Sequence, residues 1–185
     1  MERAETTVDI HEAIKTPATS VHASCGRVRV EIVKATYEHA EMMAPFVREA
    51  DRDELWATCL ITPLRALTVS VEASAKAWTG FINDEPICMF GVSPISILGG
   101  VGAPWMIGTY GIYRHAKTLL SHSKRCLDEM LESYPVLMNY VDARNKAAIR
   151  WLRWLGFTIY EPEPWGILKL PFHRFEMRRE GTRYV

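Results

Sequence analysis

The chain has 185 residues, 48% of them apolar, and its 22 basic and 22 acidic side chains cancel. This length suits one domain with a sizeable core and is short for two, and the zero balance sets up no global field toward nucleic acid or an anionic membrane. Four scattered cysteines (Cys25, Cys59, Cys88, Cys126) without a CxxC or a His-rich spacing argue against structural zinc, and no apolar run approaches the ~20 residues that span a bilayer.

Residues 1–26 are rich in Thr, Ser, Ala and His and read as an arm, flexible or docked on a partner, ahead of a domain over 27–185. Their acidic residues and lack of an apolar stretch exclude a secretory signal. From Val28 the alternation VRVEIV predicts a first strand. Thr36 is placed to cap a helix from about Tyr37 to Ala50, with Ala40, Met43, Phe46 and Val47 on its inner face. The cluster Asp51, Arg52, Asp53, Glu54 then reads as a solvated turn with local ion pairs. Thr62 and Pro63 open a second helix to about Ala77.

Trp78 to Ile82 and Ile87 to Val92, joined by Asn83–Asp84–Glu85–Pro86, predict a hairpin. A glycine-rich loop leads to a fourth strand, Ala103 to Tyr110. Leu119, Cys126, Leu127, Met130 and Leu131 then share one face of a helix from about His115 to Tyr134, which Pro135 ends. Asn139 to Asp142 suits a strand. Asn145 is a good N-cap for a helix carrying Ala148, Ile149, Leu152 and Leu155 on one side, and Gly156 sits where a helix end needs a left-handed residue. Extended segments follow, the last from Leu168 to Met177.

The unit NYVDARNKAAIRWLRWLGF, with Asn145, Ala148, Gly156 and Phe157 at their offsets, resembles the C-terminal half of the GNAT acyltransferase fold. The order of elements over roughly 27–178 agrees. The resemblance implies an α/β fold, a central mixed and mostly antiparallel sheet flanked by about four helices, with a gap between the fourth and fifth strands that receives an acyl-CoA arm. It implies cofactor contacts at Asn145 and at the backbone of Ile107 and Thr109, with Arg114 and Lys117 near the phosphates. Two departures stand out. Lys117 and Leu119 fall where the family's phosphate loop has glycines, and Leu152 replaces the tyrosine that protonates the departing thiolate. The usual strand Glu is missing as well; Asp142, Glu54 and His115 are candidate bases.

DRDELW at Asp51–Trp56, AWTGFI at Ala77–Ile82, LGGVGAPW and PFHRFEMR extend the resemblance to a family of GNAT-like phage and prophage proteins, similar to the small internal virion protein of short-tailed phages. That resemblance implies a virion core protein tied to genome ejection, with catalysis lost, no cofactor and other virion proteins as partners in a homo-oligomeric or core assembly. The location would be the virion interior or the host cytoplasm, with no membrane span and no sequence-specific nucleic acid. The alternative is a CoA-dependent N-acyltransferase using acetyl-CoA through a divergent phosphate loop. No metal site is expected. Arg144, Lys146, Arg150 and Arg153 with Trp151 and Trp154 make a basic, aromatic helix, read as arginines snorkelling over a half-buried tryptophan pair, with contact to DNA or to the adenosine phosphate of CoA as the other reading.

Overall fold

The computed structural model describes residues 28–179 and 181; the expected arm at 1–26 lies outside them. The elements run β1 (Val30–Lys34), α1 (Tyr37–Met43), a 3-10 turn (Ala44–Phe46), α2 (Glu49–Cys59), α3 (Pro63–Ala73), β2 (Lys76–Ile82), β3 (Glu85–Ser96), β4 (Val101–Gly108), α4 (Gly111–Ser133), β5 (Val136–Asp142), α5 (Lys146–Leu155), β6 (Thr158–Trp165) and β7 (Leu170–Arg178). The strands form one sheet in the order β1-β2-β3-β4-β5-β7-β6. All neighbours are antiparallel except β4 and β5, which are parallel. This is the expected mixed sheet.

Strand alternation divides the core in two. Cys88 and Phe90 of β3 pack with Cys126, Leu127 and Met130 of α4 and with Ile149 and Leu152 of α5. Met89, between them, turns to the other face with Ala40 and Met43 of α1, Leu67 of α3 and Ile107 of β4. The far edge strand β6 carries Pro162 and Pro164, which lack N–H donors and so blunt an exposed edge.

The single helix expected over Tyr37 to Ala50 is broken. Pro45 cannot donate to a helical carbonyl, the chain tightens into the 3-10 turn, and Val47 is extended at φ −58°, ψ 129°. Phe46, expected inside, is exposed. The supposed solvated turn at Asp51–Glu54 is instead the middle of a separate helix, α2.

That helix is held at both ends. Near its start, Asp51 Oδ2 accepts from Arg48 Nε (2.8 Å) and from the Gly108 amide (2.8 Å), and Arg48 N donates to the Gly108 carbonyl (3.0 Å). Asp51 and Arg48 are both buried. At its other end, Ile167 N and Leu168 N of the β6–β7 turn donate to the carbonyls of Thr58 and Ala57. Gly166, at φ +70°, makes this approach possible, since a Cβ there would lie 2.7 Å from Ala57 O. Asp51→Ala strands a buried guanidinium and an amide, so it should cost about 3–5 kcal/mol in urea unfolding. A double variant with Arg48→Met should recover part of that loss.

Candidate active site

Only two residue pairs, Val101↔Val136 and Gly102↔Leu137, join β4 to β5. Beyond them the strands separate, and their backbone groups need other partners. Even-numbered residues of β4 turn their peptide groups toward β5. Gly100 O accepts from Val136 N (3.2 Å), and Gly108 faces Asp51 and Arg48. Odd-numbered residues turn to β3, as Thr109 N does in donating to Ile87 O (2.9 Å).

Asn139 bridges the start of the gap. Its Nδ2 donates to Pro104 O on β4 (2.9 Å), and its Oδ1 accepts from Tyr140 N on β5 (2.8 Å). Two carboxylates of α2, one helical turn apart, close the far end. Asp51 takes the Gly108 amide of β4, and Glu54 accepts from the Asp142 backbone of β5. Between these rungs the alternation leaves the Met106 peptide group facing the gap, where no β5 partner is paired with it. A donor and an acceptor are thus presented inside a cavity of about 290 Å³ that runs through the gap.

Glu54 stands at this gap with its side chain largely covered. Asn145 Nδ2 donates to Glu54 Oε2 (3.4 Å), while Asn145 Oδ1 accepts from Ala148 N (3.2 Å) and caps α5. Burial, then the charge of nearby Asp51, push the Glu54 pKa up to about 7 against the hydrogen bonds from Asn145 and the Asp142 backbone. A carboxyl so poised exchanges a proton near neutral pH.

Of the other candidate bases, Asp142 is buried and committed to Arg144, accepting from its backbone N (2.8 Å) and its Nη2 (2.6 Å). His115 lies at a break in α4, where φ −116°, ψ 19° departs from helix. Ile107 and Asn145 line the cavity together. Thr109 is buried, and its Oγ1 accepts from the Gly111 amide. Arg114 is exposed and paired with Glu85 (3.0 Å), and Lys117 is exposed. Leu152 is core.

Sequence reading missed the gap-bridging Asn139, the Met106 peptide, and the place of Trp151 in the cavity wall. Its buried Nε1 has no acceptor. The i,i+3 spacing of Asp51 and Glu54 was the available signal for the α2 pair.

No protein-family model matches the chain, and no curated protein sequence does. Solved structures do. An acetyltransferase of the GNAT family from Streptococcus pneumoniae is 15% identical over 81% of this chain and 99% of its own, at TM-score 0.57. Spermidine N-acetyltransferase from Vibrio cholerae, in complex with CoA and spermine, is 10% identical over 80% and 95%, at TM-score 0.62. Ribosomal-protein-S5-alanine acetyltransferase from Vibrio fischeri is 14% identical over 84% and 96%, at TM-score 0.61. The fold is that of the GNAT acetyltransferases.

These neighbours overturn the expectation of a non-catalytic internal virion protein, and nothing in the comparisons points to a phage particle or to virion partners. The inference of lost catalysis rested on side chains at the phosphate loop and on Leu152. Neither removes the gap, its free peptide group or a base. Among the described residues, no helix is long and apolar enough to cross a membrane.

Glu54 binds a proton more tightly when folded, from an ordinary value of 4.5 to about 7. That stabilisation is full below pH 4.5 and is lost as pH rises through 7. Glu54→Gln should therefore be more stable than wild type at pH 8, by up to about 3 kcal/mol, with the difference shrinking toward pH 5. Urea unfolding across pH 5–8 measures it.

Proposed function

We propose that the chain is a CoA-dependent N-acyltransferase, with residues 27–185 as its catalytic unit. The observation that carries this is a base of near-neutral pKa beside a gap whose one free β4 peptide faces the opening. A pantetheine arm carries amides of its own, which fit between separated strands that still offer backbone donors and acceptors. The donor supplies an acyl carbon held as a thioester, activated toward an amine.

Within that reading, Met106 N–H points at the place where negative charge gathers on the acyl oxygen, the role of a fixed donor in acyl transfer. Glu54 takes the proton that the amine sheds as its nitrogen bonds to the acyl carbon and the carbon–sulfur bond breaks. Asn145 orients Glu54 through its Nδ2 and fixes the start of α5 through its Oδ1. Asn145, Ile107, Thr109, Arg114 and Lys117 remain the proposed donor contacts. Asn145 and Ile107 are supported by their place in the cavity wall, and Arg114 and Lys117 by charge alone.

Leu152 brings no proton. An alkyl thiol has a pKa of ~8.5, so the sulfur can leave as thiolate near neutral pH without an acid beside it. One titrating group then governs the chemistry, and kcat/KM should rise with pH and level off with an apparent pKa near 7.

Calorimetric titration with acetyl-CoA tests the reading. Ligand at 100 times its Kd should also stabilise the fold by ~2.7 kcal/mol, and the absence of binding at millimolar ligand would overturn it. Thiol release with a panel of primary amines should fall ~10²–10⁴-fold in Glu54→Gln while acetyl-CoA still binds. Met106→Pro, which deletes the gap-facing N–H, should lose ~10²-fold in kcat relative to Met106→Leu.

A further inference from the structure

The cavity wall reaches well beyond the β4–β5 gap, to residues of β3, β2 and β1. It runs from the gap beneath the middle and second half of α4 as far as the edge strand. Leu119, Ser123 and Cys126 form its roof on α4. Phe90, Ile82 and Val30 form its floor on β3, β2 and β1, and Ile32 stands half-exposed at the open end. From β4 to β1 is three strand spacings, about 14 Å.

Close-packed interiors hold few voids larger than a water molecule. The volume of about 290 Å³ belongs to the whole cavity, gap included, and the part under α4 is a continuous extension of it walled by side chains of three further strands. The floor and roof are chiefly hydrocarbon, so a polar acceptor gains little there. An acetyl donor would bury a single methyl and leave the rest of the channel unfilled.

We propose, on the acyltransferase reading, that the channel under α4 holds the acyl chain of a medium-length fatty acyl thioester. The carbonyl stays at the Met106 amide, and the chain runs beneath α4 toward β1. Met106 fits this path, because its peptide faces the gap while its side chain packs with the core under α4. The chemistry is unchanged: the nitrogen–acyl bond forms, the carbon–sulfur bond breaks, and the proton goes to Glu54.

The test is calorimetric titration of the full chain with CoA, acetyl-, butyryl-, hexanoyl- and octanoyl-CoA below micellar concentrations. Each methylene buried is worth up to about fourfold in affinity, so octanoyl-CoA should bind at least about tenfold more tightly than acetyl-CoA. Ser123→Phe in the roof and Ile32→Trp at the open end should bring the octanoyl-to-acetyl ratio down toward one. Affinity that is flat or weaker with length, while acetyl-CoA binds, overturns the channel and leaves the acyltransferase reading standing. A full length dependence retained in both variants also overturns it, because the chain then lies elsewhere. Failure of every thioester and of CoA to bind overturns both.

Discussion

Two parallel strands that separate inside a sheet must each find partners for the backbone groups they no longer share. β4 and β5 separate after Gly102 and Leu137, and much of the site answers that demand. Asn139 spans the narrow end with one donor and one acceptor. Asp51 and Glu54 take the outermost amides, one on each strand. A single helix, α2, thus substitutes for the missing ladder at the wide end, and it can do so only because Arg48 below and the β6–β7 turn above fix its position. What is left over, the Met106 peptide, is available because every neighbouring rung has been filled.

The same arrangement separates the chemistry of two carboxylates three residues apart. Asp51 is committed to the buried Arg48 guanidinium and to the Gly108 amide, so its oxygen is taken up in holding α2 to β4. Glu54 has no cation in ion-pair contact and no full solvent. It feels Asp51 as a like charge, and only Asn145 and one backbone amide oppose the shift. Environment rather than residue type assigns one acid to structure and the other to proton exchange. An arginine brought to Glu54 would hold it ionised at neutral pH and weaken it as a base, since a base of low pKa has little drive to take a proton.

Local signals in the chain were legible where one residue decides the geometry. Asn145 caps α5 through the Ala148 amide, and Gly156 ends it at φ +98°. The hairpin of β2 and β3 and the second half of α4 also follow from their patterns. The site was less legible, because its members come from distant parts of the chain and each has an ordinary local reading. Asp51 and Glu54 sit in a charged run that looks like a surface turn, and α2 has no marked apolar stripe to show it as a helix. Asn139 looks like a polar residue in a strand until β4 is placed opposite it. Leu152 decides little by itself: it removes a proton donor, and a thiolate leaving group does not need one.

The phosphate end poses a comparable question with a physical answer. Glycines in such a loop keep side chains away from backbone amides that face an anion. In this chain α4 departs from helical geometry at His115, so a fresh helix start falls at the exposed Ala116 and Lys117. The first amides of a helix lack internal acceptors, and its dipole favours an anion there. Ala116 adds only a methyl group, and Lys117 brings a charge that can swing aside. Arg114, by contrast, is engaged with Glu85 at the β2–β3 turn. An anion arriving at this helix start would meet amides and Lys117 first. On the acyl-CoA reading proposed above, the break at His115 would supply by geometry part of what a glycine loop supplies by sequence.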